Sequence, residues 1–322
     1  MPEINSEMHY IRRNSPGFPG RFEGISGSPE GLYVIGELPR DDQPTVGIVG
    51  ARMCSRYGHE TAYEFGRVLA GKGVQIISGL ALGIDCYAQE GALAGGGKTF
   101  AVLGCGADIC YPKSNREVYE KIKTSGGILS EEKPGTPPLA YNFPKRNRII
   151  SALSDIVLVV EAKEKSGSLI TVDFALEQGK TVYAVPGRVC DLLSYGCNSL
   201  IAQGAGIACS PDSILMELES QRTLSEAARR SRKKRNEEIR RERNEKRTSA
   251  DSEAEAHGKT ADLSGLSGEA RVVYDLLDRD PVPLDVLFRR TGLQPGTLAS
   301  ALYELQTKGL ADECGRNHFI RR

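Results

Sequence analysis

Four consecutive residues, Lys145, Arg146, Asn147 and Arg148, stand directly before "IISALSDIVLVVEA", one of the most apolar stretches of the chain. Guanidinium and ammonium groups bind phosphate, the guanidinium in a bidentate fork. Tyr141 and Phe143 beside them offer rings on which a base can stack. Three further stretches suit an anion. "GIVGARMCSRYG" (47–58) is a turn between a strand and a helix, with Gly50 in the turn and Arg52 just beyond it. A helix start presents free N–H groups and positive potential. "SGLALGIDCYAQEGAL" (78–93) sets Ser78 and Gly79 in a second such turn, with Asp85 in the first turn of the helix, a place where a carboxylate ordinarily compensates the helix dipole. "KSGSLITVDFALEQG" (165–179) opens another helix with Ser166, Gly167 and Ser168, which suits either a phosphate cradle or plain serine capping. A charge run by itself is the ordinary look of a solvated face. Three anion-friendly turns on the same sheet edge weigh against that, because cations, amides and stacking rings together are what single-stranded nucleic acid requires.

The same residues argue against other chemistry. The first turn does not fit G-x-G-x-x-G, since Gly47 lies in the strand and position 52 is Arg, and no acidic residue ends the second strand to meet a ribose. There is no P-loop lysine and no Ser/His/Asp or Cys/His arrangement, so no catalytic residue and no cofactor are expected. Eight cysteines without a C-x-x-C pair, and four scattered histidines, give no expectation of a metal site. The N-terminus has no apolar signal region and no apolar run approaches the length of a membrane span. A cytoplasmic protein with reduced thiols is expected.

The elements that must position these residues follow from the hydrophobic pattern. Short continuous apolar runs ("TVGIVG", "VQIISG", "KTFAVLGCG", "ILSE", "DIVLVVEA", "TVYAVPG") alternate with stretches of helical spacing that end in Gly. Strands apolar on both faces belong in a covered parallel sheet. The expected fold is therefore α/β, an extended Rossmann-like doubly wound sheet over 44–220. Residues 1–43 read as an extension, with "GLYVIGEL" an edge strand, and "FPKRNRIISALS" (143–154) as a helix start and turn. Residues 221–262 are nearly devoid of apolar side chains. Within them, 221–250 hold twelve Lys/Arg against five Asp/Glu, a local charge of +7 in a chain with no net charge. This segment is expected to be a linker, with pairs such as Glu237–Arg241 and Glu242–Lys246 favouring helix. From 263 to 322, three amphipathic helices and a hairpin read as a small winged-helix domain. Its third helix exposes Thr297, Ser300, Glu304 and Thr307 with only Lys308 basic, which is poor equipment for a major groove. Arg316, Arg321 and Arg322 lie on the wing.

The motifs quoted above, with "AVLGCGADICYPKSN", "GGILSE…PG" and "GCNSLIAQGA", resemble in order those of the DNA-processing protein A (DprA, or Smf) family over about 44–220. The resemblance implies a single-stranded DNA-binding protein without catalysis. It implies a protein that protects incoming strands during natural transformation, loads the recombinase RecA, forms a homodimer and in many members carries a winged helix. Residue by residue, it assigns DNA contact to Arg52, to Phe143, Lys145, Arg146, Asn147 and Arg148, and to Ser166, Gly167 and Ser168. The chain departs from the family at Ala51, where Ser or Thr is usual, and at Gln89, where His is frequent. It is also too short in front of the sheet for the helical domain many members have. The alternative is a nucleotide-processing enzyme of the lysine-decarboxylase-like phosphoribohydrolase type. Its P-G-G-x-G-T-x-x-E signature is matched only loosely here, with Glu177 one helical turn beyond the position held by Asp173 or Phe174.

Overall fold

The computed structural model describes residues 7–224, 226, 227, 235 and 263–322. They fall into two compact units, divided between Ser231 and Arg232.

The first unit runs β1 (His9–Arg12), β2 (Gly31–Gly36), β3 (Thr45–Val49), α1 (Arg56–Gly71), β4 (Gln75–Ser78), α2 (Ile84–Ala94), β5 (Thr99–Leu103), α3 (Arg116–Ser125), β6 (Gly126–Ser130), α4 (Asn142–Leu153), β7 (Ile156–Val159), α5 (Leu169–Glu177), β8 (Thr181–Ala184), α6 (Tyr195–Ala202) and β9 (Gly206–Ile207), followed by helical residues 211–224 (α7). One nine-stranded sheet has the order β1-β2-β6-β5-β4-β3-β7-β8-β9. From β6 to β9 every pairing is parallel. All residues of β3 to β7 are buried, because helices cover both faces. Ile149, Ile150 and Leu153 of α4 pack on one side with Val172 and Ala175 of α5 and Cys197 of α6. Phe65 and Leu69 of α1, Ile84 and Ala88 of α2, and Ile214 and Leu218 of α7 pack on the other.

Two expectations need correction. "GLYVIGEL" is not an edge: β2 is held antiparallel between β1 and β6, with Val34 opposite Leu129, and β1 takes the edge. The extension is thus part of the sheet, and it is fastened by half-buried Arg21, which pairs with Asp155 and donates from Nη2 to the Gln43 carbonyl (2.7 Å). "FPKRNRIISALS" is a full helix, α4. Pro144 sits in its first turn, where no backbone N–H is needed.

The second unit contains α8 (Gly268–Leu276), β10 (Val282–Pro283), α9 (Leu284–Thr291), α10 (Pro295–Thr307), β11 (Ala311–Glu313) and β12 (His318–Arg321), with sheet order β10-β12-β11. Val273, Leu287, Leu298, Leu302, Leu305 and Phe319 form its core. The basic groups expected at its surface are partly engaged. Arg321 stacks over Tyr274 (4.1 Å to the ring centre), Arg322 pairs with Asp312 and Lys308 donates to the Gly265 carbonyl. The pairs expected within 237–246 lie outside the described residues.

Candidate nucleic-acid interface

Strand order decides where the first unit can hold a ligand. From β3 the chain builds outward through β4, β5 and β6, then returns to place β7, β8 and β9 on the other flank. The order therefore reverses between β3 and β7. At such a switch point the loops leaving the carboxyl ends of the two strands diverge and open a crevice. A cavity of about 650 Å³ lies there. Its walls come from Gly50, Arg52 and Met53 after β3, from Phe143, Arg146 and Asn147 on α4, and from Lys163, Lys165, Ser166, Gly167 and Ser168 after β7.

The two loops are built differently. The β3 loop is clamped. Glu161, buried just past β7, accepts from the Ser55 amide (2.8 Å) and hydroxyl (2.5 Å), while its own carbonyl accepts from the Ala51 amide (2.7 Å). Ser55 Oγ accepts in turn from the Gly58 amide (3.1 Å), so α1 has a side-chain N-cap. A Cβ on Gly58 would run into the Glu161 carboxylate, so the clamp requires glycine there. The absence of a hydroxyl at Ala51 leaves its backbone fixed all the same. Next to this, the start of α5 has no side-chain cap from Ser168. Ser166 and Ser168 share a hydrogen bond with each other (2.8 Å), and no side chain caps the helix. Simple serine capping is therefore not what these residues do. The turn is closed on itself, the Ser168 amide donating to Ser166 Oγ (3.4 Å), the Leu169 amide to the Ser166 carbonyl (3.0 Å) and the Thr171 amide to the Ser168 carbonyl (3.1 Å), and it lines the cavity with its two hydroxyls at the positive end of the helix.

The cationic run of α4 divides by helical period. Arg146 falls on the inward stripe with Asn142, Ile149, Ile150 and Leu153, and it is buried. Its Nη1 donates to the Val102 carbonyl, and it sits beside Asp85, also buried. Burial pushes the Arg146 guanidinium down to about 10 and Asp85 upward; the opposite charge of each offsets part of the other's burial penalty. Asp85 is further held by the Gly79 amide (3.0 Å). Ser78 and Gly79 thus stay behind the cavity wall: the Ser78 hydroxyl donates to the Ile48 carbonyl (2.6 Å), and a Cβ on Gly79 would strike the Arg146 guanidinium. Arg146 Nε, buried, meets no acceptor among the described residues.

Lys145 and Arg148 face away from the cavity walls, toward carboxylates. Arg148, its side chain 14% exposed, donates to both oxygens of Glu131 (2.6 Å each). Lys145 pairs with Glu131 (3.1 Å) and Glu132 (3.3 Å). Asn147 does reach the third loop, donating to the Gly167 carbonyl (3.3 Å). Phe143 lies under Arg52 (5.5 Å) and beside Tyr111 (5.6 Å between ring centres), which makes an aromatic floor with an arginine over it.

Two residues escaped the sequence reading. Lys163 and Lys165 are exposed, line the cavity and meet no carboxylate among the described residues; the same holds for Arg52. Their signal was positional, since they follow the strand that flanks the switch point. Gln89, at a position where the family often has His, is buried and donates to the Phe100 carbonyl (3.1 Å), away from the cavity. Glu177, the residue closest to a catalytic carboxylate in the enzyme reading, ends α5 and does not line the cavity.

Comparison with known proteins agrees with this architecture. Residues 9–219 match the family model of DNA recombination-mediator protein A, and residues 257–315 match the DprA winged helix domain. The chain belongs to the DprA family. It is 43% identical over 202 residues to the DNA processing protein DprA of Streptococcus pneumoniae, covering 63% of this chain and 71% of that one. It is 43% identical over 212 residues to protein Smf of Escherichia coli, covering 66% of this chain and 57% of that one. The crystal structure of pneumococcal DprA superposes with a TM-score of 0.61 at 39% identity, over 66% of this chain and 75% of that one. DprA of Helicobacter pylori, a structure concerned with its single-stranded DNA binding mode, superposes with a TM-score of 0.59 at 31% identity, over 68% of this chain and 99% of that one.

Proposed function

We propose that this DprA-family chain binds single-stranded DNA at the switch-point cavity, without catalysis, and that it serves as the family resemblance implies: as a homodimer that shields incoming strands and hands them to RecA. One observation carries the DNA reading. Arg52, Lys163 and Lys165, none paired with a carboxylate among the described residues, surround a recess floored by Phe143 and Tyr111 and lined by the Ser166 and Ser168 turn at the start of α5. Cations hold consecutive phosphates, the positive end of α5 adds favourable potential, and the rings accept an unstacked base. A base can enter such a recess only when it is free of its complement, so single strands are preferred over duplex. The single-stranded DNA binding described for the Helicobacter pylori relative supports this assignment. The placement of Glu177 away from the cavity weighs against the hydrolase alternative.

The test is fluorescence anisotropy with labelled oligo-dT and duplex of equal length at several salt concentrations. The expected result is tighter binding of the single strand, with affinity falling steeply as salt rises. Equal affinity for duplex, or no binding to either, would sink the proposal. Stimulation of RecA filament formation on strands coated by a single-strand binding protein tests the loading role. Sedimentation velocity tests the dimer.

A further inference from the structure

A second feature adjoins the cavity. Large apolar side chains stand in solvent on two adjoining segments at the same sheet edge: Met53 (86% exposed) in the β3 loop with Tyr57 (50%) in the first turn of α1 that follows it, and Val189 (93%) and Leu192 (76%) after β8. Scattered exposed apolar residues need no explanation, but a concentration on adjoining loops does. The loops are joined, because Tyr57 Oη donates to the Pro186 carbonyl (3.1 Å), and each is continuous with the recess, because Met53 and Leu193 both line it. Arg188 is exposed in the same loop and meets no carboxylate among the described residues. Two short turns, from the Asp191 amide to the Arg188 carbonyl (3.1 Å) and from the Ser194 amide to the Asp191 carbonyl (2.9 Å), hold residues 188–194 in a defined shape.

We infer that this surface is a second nucleotide subsite, over which the strand continues after leaving the cavity. The inference rests on the single-strand reading above. Tyr57, Val189 and Leu192 supply flat or aliphatic surface to one or two further bases, and Arg188 supplies a phosphate contact. Contacts of this kind tolerate any base, since every base has an apolar face. The surface requires nothing from the second unit and adds length to the site rather than specificity.

The experiment compares oligo-dT of about 5 nucleotides, enough for the cavity, with oligo-dT of about 20 nucleotides. The full-length chain is measured beside a Val189→Ser/Leu192→Ser variant and an Arg188→Ala variant. All three side chains are exposed, so thermal unfolding should be unchanged. The long oligonucleotide should bind the Val189→Ser/Leu192→Ser variant at least about fivefold more weakly, the loss of one stacked base, while the short one binds as before. Arg188→Ala should lower the salt slope for the long strand alone, by about 0.7. Tyr57→Phe, which keeps the ring, should retain affinity. If the wild-type chain binds the long strand and neither variant changes that affinity, the subsite is overturned while the cavity stands. If the variants change only the sedimentation coefficient, the surface joins protein chains and the subsite is likewise overturned. If the wild type binds neither oligonucleotide, the failure belongs to the single-strand reading itself.

Discussion

Two sets of cations stand at one sheet edge and do opposite work. On α4, Lys145 and Arg148 pair with Glu131 or Glu132, and Arg146 is buried, bonded to the Val102 carbonyl, with the charge of Asp85 acting on it. On the loops, Arg52, Lys163 and Lys165 meet none among the described residues. The first set is dense in sequence and largely neutralised in space. The second is dispersed over more than a hundred positions and converges on one cavity. Charge density along a chain therefore does not measure the charge a ligand meets; what matters is which cations the fold leaves unpaired.

The largest effect should come from removing the buried countercharge. Asp85→Ala leaves the buried Arg146 guanidinium with the Val102 carbonyl and no nearby carboxylate, which should destabilise the first unit by about 3 kcal/mol in urea unfolding. A loss below about 1 kcal/mol would mean that Arg146 is less dependent on Asp85 than its burial implies. Next, Arg52→Glu with Lys163→Glu and Lys165→Glu should weaken single-strand binding by roughly a hundredfold or more with the melting temperature unchanged, since these side chains are exposed. The corresponding triple alanine variant should flatten the salt slope by about 2, three phosphates at about 0.7 each. Glu161→Ala should act through Arg52, lowering affinity about tenfold by releasing the β3 loop. Combined with Arg52→Ala it should add little further, whereas full additivity would separate the clamp from the contact. The smallest effect sharpens the contrast most. The cationic run read from sequence alone leads to the expectation that Lys145→Glu with Arg148→Glu abolishes binding. The ion pairs lead instead to Lys145→Ala changing affinity less than about threefold, with Arg148→Ala mainly lowering stability, by about 1–2 kcal/mol. A loss of binding in Lys145→Ala comparable to that of the loop variant would erase the distinction between the two sets.

What could be read in the sequence was the fold and the edge. Continuous apolar strands separated by helical spacings locate the sheet, and the turns after β3 and β7 are legible as the walls of a cavity because glycine and serine stand between strand and helix there. The pairing of cations was not legible in the same way. Glu131 lies seventeen positions before Arg148, and nothing local announces that β6 brings the two together. Arg146 was within reach. Reading α4 through to Leu153 puts it on the stripe of Asn142, Ile149, Ile150 and Leu153, and an arginine on an apolar stripe demands a buried partner. Lys163 and Lys165 were passed over because two lysines in a polar loop look like ordinary solvation. Only the reversal of strand order, a property of the whole sheet, turns that loop toward a cavity. β2 was misplaced for a related reason, as an antiparallel strand ahead of a parallel sheet gives no hint of which strand it will join.

The Glu161 clamp has a consequence for kinetics. Because that carboxylate already holds Ser55, and its backbone already holds Ala51, the loop bearing Arg52 is set when the protein folds and does not wait for a strand to arrive. A receptor organised in advance loses little further conformational freedom on encounter. Capture should then proceed in one step at a rate proportional to strand concentration, without the lag of an ordering loop, and a strand grazing the edge should be held at first contact.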